Sequence, residues 1–357
     1  MDPGDRRGPD VIIARTPYRI SFFGGGTDYP AWFREHGGRV LSATINRYCH
    51  ITCRFMPPFF DFKSRVVWSH IEVLRENRDV LHPVLKALFD HMGLDQGIEL
   101  THNGDLPAQS GLGSSSSFTV CALHALHALQ GTMVTKRDLA HQAIHVEQEL
   151  LRENVGIQDQ IAAAHGGFNR IDITHDGNYA VHPMTLDPLR QQEFERHLIL
   201  LYTGQSRRAT NIAAEQIKNT PNKTKELEAM QAMVDDAIGI VTGTGPIAEF
   251  GKLIHEGWEI KRTLASAIAP AFVNEIYDTA RKHGALGGKL LGAGGGGFML
   301  LFAKPENHVA ILEALSSLLV VPIELERAGS HLIFYEPQNY SRTVRHGLRQ
   351  FNRFVQC

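Results

Sequence analysis

Four consecutive serines, Ser114–Ser117, follow a glycine-rich turn and begin an apolar segment in LPAQSGLGSSSSFTVCALHALHAL, residues 106–129. Gly111 and Gly113 permit backbone conformations that other residues resist, and they leave no side chain to block a ligand. The first amide N–H groups of a helix have no intrahelical partner, and with the helix dipole they attract anions, most often phosphate. The stretch therefore predicts a phosphate-binding turn at the start of a buried helix.

Two other interpretations of this stretch fit the sequence less well. A flexible Gly/Ser linker would not lead directly into a buried apolar run such as residues 118–129. The P-loop signature GxxxxGK[ST] needs a lysine before the hydroxyl residue, and a nucleophile elbow needs a serine within GxSxG. The stretch provides neither.

A carboxylate follows a second glycine-rich turn, in SFFGGGTDYP over residues 21–30. The three glycines Gly24–Gly26 let the backbone approach a ligand closely, and Asp28 can accept hydrogen bonds from two hydroxyl groups. This combination suits a polyhydroxylated ligand, with a plain β-turn as the alternative.

A second isolated carboxylate, Asp159, lies between two glutamines in GIQDQIAAAH. A carboxylate that enters a largely apolar helix is costly unless it is paired or functional. The alternative, which the sequence leaves open, is an N-cap aspartate.

Metal-ligating residue types also recur along the chain. His141, His145 and Glu149 share one face of a predicted helix, but no further ligand is obvious, and solvated histidines are the favoured interpretation. Cys49 and Cys53 are too far apart for the usual CxxC metal site and are interpreted as ordinary thiols.

The composition is that of a balanced globular protein. Its 357 residues contain 36 Lys and Arg against 38 Asp and Glu, a formal net charge of −2, so neither nucleic acid nor an acidic membrane is an expected partner. The polar N-terminus has no apolar segment of a secretory signal, and the four cysteines have no disulfide spacing. These features predict a cytoplasmic protein with two domains.

The pattern of predicted elements indicates an α+β fold, because helices alternate with strands that read as antiparallel. Predicted strands cover residues 11–20, 39–56, 98–102, 168–173, 178–183, 197–202, 320–326 and 331–335. One predicted helix begins at Ser114. The other predicted helices cover residues 79–93, 136–152, 206–219, 223–243, 246–267, 270–283 and 305–319. Residues 185–196 are interpreted as a hinge, which gives domains at 10–190 and 191–357.

A third glycine-rich stretch, KLLGAGGGGFMLLF over residues 289–302, completes an ordered set of three motifs. Together with TPYRISFFGGGTDYP and LPAQSGLGSSSSFTVCAL, it resembles the motifs of the GHMP kinases. The resemblance extends from about residue 11 to about residue 335. It implies a ribosomal protein S5 domain 2-like N-terminal domain, a ferredoxin-like C-terminal domain, and an active site in the cleft between them.

The resemblance also implies a site for ATP, Mg²⁺ and a sugar phosphate. It assigns Asp159 as the group that orients the acceptor hydroxyl and takes its proton, Arg19 as the cation beside the transferring phosphoryl group, and Ser115 with Glu147 as metal ligands. The implied ATP-binding residues are Pro107, Gly111, Leu112, Gly113, Ser114, Ser115, Ser116 and Ser117. The implied sugar-binding residues are Gly25, Gly26, Thr27, Asp28, Gly294 and Gly295.

The first motif departs from that of galactokinase, with GGGTDYP where galactokinase has GEHTDYN, so galactose is not the expected acceptor. The GGGTD form and the later VGIQDQ are similar to bacterial D-glycero-D-manno-heptose 7-phosphate kinases, which phosphorylate the anomeric hydroxyl on the route to GDP-heptose and surface polysaccharide. The fucokinase domain shares much of this pattern and is the alternative. Arg47, Arg207 and Arg208 are candidates for binding the phosphate that the sugar already carries.

Two other classes of function are considered. A dinucleotide oxidoreductase is disfavoured because GLGSSS lacks the third glycine and the ribose-binding acid of that motif. A non-catalytic sugar or nucleotide sensor is disfavoured because it needs neither a metal ligand such as Glu147 nor a base such as Asp159.

Overall fold

The computed structural model describes residues 11–57, 59–204 and 209–336, which form two sheets with helices packed around them. The strands are β1 (Val11–Phe23), β2 (Gly38–Phe55), β3 (Ser64–Val67), β4 (Ile71–Leu74), β5 (Ile98–Gly104), β6 (Phe168–Ile173), β7 (Tyr179–Pro183), β8 (Leu198–Tyr202), β9 (Ala285–Leu290), β10 (Phe298–Ala303), β11 (Leu319–Val320), β12 (Leu325–Glu326) and β13 (His331–Glu336). The helices are α1 (Pro30–His36), α2 (Pro83–His91), α3 (Ser114–Leu129), α4 (Lys136–His145), α5 (Gln158–His165), α6 (Pro188–Arg196), α7 (Ala209–Asn219), α8 (Thr224–Thr242), α9 (Ala248–Lys261), α10 (Ala271–Lys282) and α11 (His308–Ala314).

The first sheet is built around the long antiparallel pair β1 and β2. Its strand order is β13-β1-β2-β5-β3-β4, and β6 and β12 pair with other parts of β2, while β7 pairs with β6. Helix α3 lies against β1 and β2, and all but four of its sixteen residues are buried. A helix that is apolar nearly all round gains its stability from this burial, so its N-terminus is held in a fixed position.

The second sheet has the order β11-β8-β10-β9, and its neighbouring strands are antiparallel. In chain order these are the fourth, first, third and second strands, which is the ferredoxin-like arrangement. Helices α9 and α10 pack against it. The predicted α+β class is confirmed by these two predominantly antiparallel sheets.

Three expectations differ from the structure in detail. Residues 188–196, within the predicted hinge, form helix α6, whose N-cap Asp187 accepts hydrogen bonds from the amides of Leu189 and Arg190. The predicted helix 136–152 is α-helical only to His145 and continues as a π-helical turn, residues 146–150. The predicted strand 320–326 is divided into β11, which pairs with β8 of the second sheet, and β12, which with β13 returns to the first sheet.

Buried aromatic rings join the two sheets. Phe22 of β1 packs edge-on against Phe250 of α9 and Phe194 of α6, with ring centroids 5.7 and 5.5 Å away. Phe250 in turn contacts Phe302 of β10 at 5.3 Å. Edge-to-face packing of this kind stabilises beyond the area that it buries, so the cluster fixes the walls of the cleft between the sheets.

No helix among residues 11–57, 59–204 and 209–336 is long and apolar enough to span a membrane.

The turn after β1 brings two backbone segments unusually close. Gly24 has a φ of 78°, and a Cβ atom built on it would lie 1.9 Å from the carbonyl oxygen of Arg39. A backbone atom cannot move aside as a flexible side chain can, so only glycine fits at this position. The Gly24–Gly26 turn is therefore constrained by packing before any ligand is considered.

We expect Gly24→Ala to lower the free energy of unfolding by at least about 3 kcal/mol, because it adds a backbone clash to the strain of a positive φ. The matched control is Gly93→Ala, at a φ of 60° with no atom within 4 Å of the added Cβ, which should cost only about 1–2 kcal/mol. Urea unfolding of both variants measures the difference. Equal losses would contradict the close approach.

Candidate active site

A cavity of about 220 Å³ lies where the three glycine-rich stretches meet. It is lined by Arg19, Ser21, Gly25, Gly26, Asp28, Tyr29, Gln109, Gly111, Gly113, Ser114, Ser115, Ser116, Glu153, Asn154, Val155, Gly156, Gln158, Asp159, Ala213, Gln216, Lys261, Lys289, Gly292 and Ala293. Residues of both sheets and of the helices beside them contribute to the same cavity. We refer to it as the central cavity.

A bidentate ion pair occupies one wall of the central cavity. Arg19 of β1 donates from Nε and Nη2 to the two carboxylate oxygens of Asp159, at 2.7 and 2.6 Å. The guanidinium also donates from Nη1 to the carbonyl of Gly111, at 2.6 Å, and the Arg19 amide donates to the carbonyl of Leu112. Arg19 therefore fixes the position of Asp159 and of the glycine-rich turn at the same time.

Asp159 is the second residue of α5, and its side chain does not cap that helix. The N-cap position is Ile157, which makes no side-chain capping bond. The Asp159 side chain is 25% exposed and lines the cavity, whereas that of Arg19 is only 5% exposed. With one N–H on each oxygen, lone pairs remain free for a ligand hydroxyl.

The glycine-rich turn and the start of α3 form a second wall. Gly113 is the N-cap of α3 with a φ of 71°, and a Cβ atom there would meet Arg19 Cγ at 3.1 Å and Asp159 Oδ2 at 3.4 Å. The first intrahelical bond is donated by Ser117 to Gly113, so the amides of Ser114–Ser116 have no partner in the helix. These donors make the wall suited to phosphate oxygens.

The side chains of this stretch have different surroundings. Ser114 accepts a bond from the Gln109 amide, and Ser117 is buried and donates to the carbonyl of Pro17. Pro107 is exposed and does not line the cavity, and Leu112 is buried and takes part through its carbonyl.

The predicted metal ligand Glu147 contacts Ser116, whereas Ser115 is exposed and lines the cavity. Ser116 donates to Glu147 Oε2 at 2.8 Å, and Gln160 donates to the same oxygen at 2.5 Å. Consecutive helical residues point about 100° apart, so only one of the two serines can face the π-helical turn that carries Glu147. The structure thus brings Ser116 to Glu147 in place of the predicted Ser115.

The surroundings of Glu147 fit a Mg²⁺ ion. Its side chain is fully buried, its Oε1 has no hydrogen-bond partner, and burial raises its pKa to about 7. An unpartnered buried carboxylate oxygen is costly, and a cation would satisfy it. Among the residues that the structure describes, no three His, Cys, Asp or Glu side chains cluster as a metal site.

Asp28 lies in the cavity wall formed by the first glycine-rich turn. It is 2% exposed and accepts a bond from the Gly26 amide at 2.9 Å. Burial, followed by the neighbouring Asp159 charge, raises the pKa of Asp28. Thr27, in contrast, is turned away from the cavity, and its hydroxyl donates to the carbonyls of Gly24 and Arg39.

The third glycine-rich stretch contributes to the cavity through Gly292 and Ala293. Gly294 and Gly295, the predicted sugar-binding residues, do not line it: Gly294 packs against Ile268, and the Gly295 amide donates to the Ile268 carbonyl at 2.9 Å. A Cβ atom on Gly292 would lie 2.5 Å from Gly111 Cα. The second and third motifs are therefore in direct backbone contact.

Two buried lysines of the cavity were missing from the sequence prediction. Lys261 at the end of α9 donates to the carbonyls of Leu290 and Gly292, at 3.0 and 2.6 Å. Lys289 at the end of β9 donates to the carbonyl of Phe22 at 2.8 Å. The signal was present, since Lys261 continues the buried face of α9 and Lys289 interrupts an otherwise apolar strand.

Of the three arginines predicted to bind the sugar's own phosphate, the structure describes only Arg47. Arg47 does not line the central cavity, and its guanidinium donates to the carbonyls of Asn46 and Pro322. Arg207 and Arg208 lie outside the described residues.

Comparison with known proteins identifies the family. The model for the GHMP kinases N terminal domain matches residues 79–167, and the model for the GHMP kinases C terminal domain matches residues 229–320. A D-glycero-alpha-D-manno-heptose 7-phosphate kinase of Campylobacter jejuni is 30% identical over 319 residues, which cover 85% of this chain and 93% of that protein. The chain belongs to the GHMP kinase family.

Other members of the GHMP kinase family support the same class of enzyme and the same fold. An L-fucokinase/L-fucose-1-P guanylyltransferase of Bacteroides fragilis is 28% identical over 86% of this chain, although the match covers only 36% of that longer protein. The crystal structure of a D-glycero-D-manno-heptose 1-phosphate kinase from Bacteroides thetaiotaomicron superposes with a TM-score of 0.75, at 23% identity over 91% of this chain and 99% of that one. The chain is a sugar kinase, and the predicted two-domain GHMP kinase fold is confirmed.

We expect the stability of this kinase to depend on pH through Lys261. Burial, followed by the charge of Arg19, lowers its pKa from 10.5 to about 7. Between these values the unfolded chain binds the proton and the folded chain does not, so raising the pH stabilises the fold. We compare the unfolding free energy of Lys261→Met with that of wild type. The value for the variant minus the value for wild type should fall by about 2–5 kcal/mol from pH 7 to pH 10.5, because only wild type gains stability from the deprotonation of Lys261.

Urea unfolding at several pH values, in buffers without phosphate or sulfate, measures this difference. Lys252→Met is the matched control, since Lys252 is an exposed lysine of the same helix. A Lys261→Met difference that does not change with pH would show that Lys261 keeps an ordinary pKa.

Proposed function

We propose that this chain transfers the γ-phosphoryl group of ATP to the anomeric hydroxyl of D-glycero-D-manno-heptose 7-phosphate, for GDP-heptose and surface polysaccharide synthesis. The observation that supports it most is the Arg19–Asp159 pair, which faces the same cavity as the free amides of α3 and the Asp28 carboxylate. Amides suited to phosphate, a carboxylate suited to act as a base and a carboxylate that can bind sugar hydroxyls thus line the same cavity.

The charged and polar groups that line the central cavity suggest a role for each in phosphoryl transfer. The amides of Ser114–Ser116 and the α3 dipole bind the ATP phosphates. Asp159 accepts the proton of the sugar hydroxyl as the new O–P bond forms and the bond to the departing ADP breaks. Arg19 holds the Asp159 carboxylate in place and lies beside the negative charge of the transferring group. Asp28 accepts hydrogen bonds from other sugar hydroxyls.

We assign Ser116 and Glu147 as the residues that hold Mg²⁺, with Ser115 as a neighbouring hydroxyl of the cavity. When bound, the ion neutralises charge on the ATP phosphates. The chain's own part is to present the unpartnered Glu147 oxygen behind the first turn of α3.

The choice of acceptor rests on relatives. The match to the Campylobacter jejuni kinase named for heptose 7-phosphate covers 93% of that protein, which favours the phosphorylated heptose as acceptor. The Bacteroides fragilis protein named for L-fucose matches over 86% of this chain, so an L-fucokinase is the second candidate. We place the enzyme in the cytoplasm, where ATP is available and where Cys49, Cys53 and Cys121, all free and buried, stay reduced.

An ATP-consumption assay against heptose 7-phosphate, fucose, mannose and galactose tests the acceptor. Asp159→Asn should lower kcat by about 10²–10⁴-fold, because Asn keeps the shape but cannot take a proton. Asp278→Asn, at an exposed position of α10, is the control and should match wild type. Turnover on galactose alone would reject the acceptor, and turnover on none would favour a sensor.

Glu147→Gln tests the metal assignment. We expect the Mg²⁺ concentration for half-maximal activity to rise at least about tenfold, since the amide removes the charge of the assigned ligand. The control is Glu149→Gln, an exposed residue of the same π-helical turn, which should keep the wild-type metal dependence. A normal Mg²⁺ dependence in Glu147→Gln would remove Glu147 from the metal site.

A further inference from the structure

We propose that Lys261 and Lys289 form an anion site on the acceptor side of the central cavity, which binds a phosphate group that the sugar substrate already carries. The inference rests on the proposed function and adds the residues that select a phosphorylated acceptor. We refer to these two residues as the lysine pair.

The lysine pair is buried, and within residues 11–57, 59–204 and 209–336 neither ammonium group forms an ion pair with a carboxylate. Lys261 and Lys289 are 7% and 6% exposed, and both line the cavity. In the described parts of the chain, their hydrogen bonds go only to the backbone carbonyls of Leu290, Gly292 and Phe22. Neutral carbonyls orient an ammonium group but do not cancel its charge, so the positive charge is left for a ligand to balance.

Donors remain free on both ammonium groups when the hydrogen bonds of the described residues are counted. An ammonium group has three N–H donors, of which Lys261 uses two and Lys289 uses one. Three donors are therefore left beside the cavity. A phosphate group offers several acceptor oxygens and negative charge, and it is the common metabolite group that best matches such a set.

The effect of Lys261, Lys289 and Arg19 on one another's protonation also supports an anion site. Burial, then the charge of Lys261, holds the pKa of Lys289 well below its ordinary value, and Arg19 adds to the effect on both lysines. Each of these charges makes it less favourable for the neighbouring lysine to hold its proton, so an anion that binds there also promotes protonation of the lysine pair.

The position of the lysine pair favours the acceptor over ATP. The free amides that suit the ATP phosphates belong to α3, while Lys289 is bonded to Phe22, just before the turn that carries Asp28. The Asp28 carboxylate is also close enough to act on the charge of Lys261. An acceptor sugar that reaches Asp28 therefore has the lysine pair beside it.

The test compares one sugar with and without its phosphate. The ratio of kcat/KM for D-glycero-D-manno-heptose 7-phosphate to kcat/KM for the free heptose is measured in wild type, Lys261→Met and Lys289→Met. Each variant should lower this ratio by about 10–100-fold, the loss expected for a hydrogen bond between charged groups. Lys252→Met, at an exposed lysine of α9, should leave the ratio unchanged.

Two kinetic results would overturn the inference. An unchanged ratio in both variants would mean that the lysines only support the backbone. An equal fall in kcat for both sugars would mean that they act on the phosphoryl group in transfer. If one variant does not fold, the other still decides between these outcomes.

A binding measurement separates this inference from the proposed function. Without ATP, heptose 7-phosphate should raise the unfolding temperature of wild type more than free heptose does, and each lysine variant should lose that difference. This result would support the lysine pair even if no sugar were turned over, in which case the proposed function alone would fail. Equal effects of the two sugars on wild type would overturn the inference.

Discussion

The ion pair between Arg19 and Asp159 is the interaction on which the arrangement of the site depends. Arg19 bonds Asp159 with two N–H groups and the Gly111 carbonyl with a third, and its amide bonds the Leu112 carbonyl. One residue of β1 thereby connects a strand of the sheet, the glycine-rich turn and helix α5. A nearly buried guanidinium needs all these acceptors, because an unpaired charge in such a place would be strongly destabilising.

The same constraint explains the glycines around the pair. A Cβ atom on Gly113 would crowd Arg19 at a positive φ, and at Gly156 a Cβ atom would lie 1.8 Å from the Asp28 carboxylate. Gly111 and Gly292 approach each other so closely that neither could carry a Cβ atom. These glycines bring backbone next to charged groups, where it supplies donors and acceptors and excludes other side chains. The three motifs thus form one packed unit.

The sequence was informative where local chemistry decides the structure. Helix α3 begins at Ser114 as predicted, because a glycine turn, hydroxyl residues and an apolar run agree with one another. The sequence also shows that Asp159 is unusual, but its pairing with Arg19 depends on contacts 140 residues apart. The contact of Glu147 with Ser116, and not with Ser115, depends on how helix α3 is rotated relative to the π-helical turn. The return of β12 and β13 to the first sheet is likewise a matter of long-range packing.

The polar groups left without partners indicate how ligands and stability are related in this fold. Glu147 Oε1, Ser21 Oγ and Gln158 Oε1 are buried and make no hydrogen bond among the described residues, and the last two belong to residues that line the central cavity. The lysine pair adds ammonium groups with free donors on the acceptor side. Unmet acceptors and donors destabilise the empty enzyme, and a metal–nucleotide complex and a sugar would each satisfy some of them. We therefore expect substrate binding to draw part of its free energy from polar groups that folding alone leaves without hydrogen-bond partners.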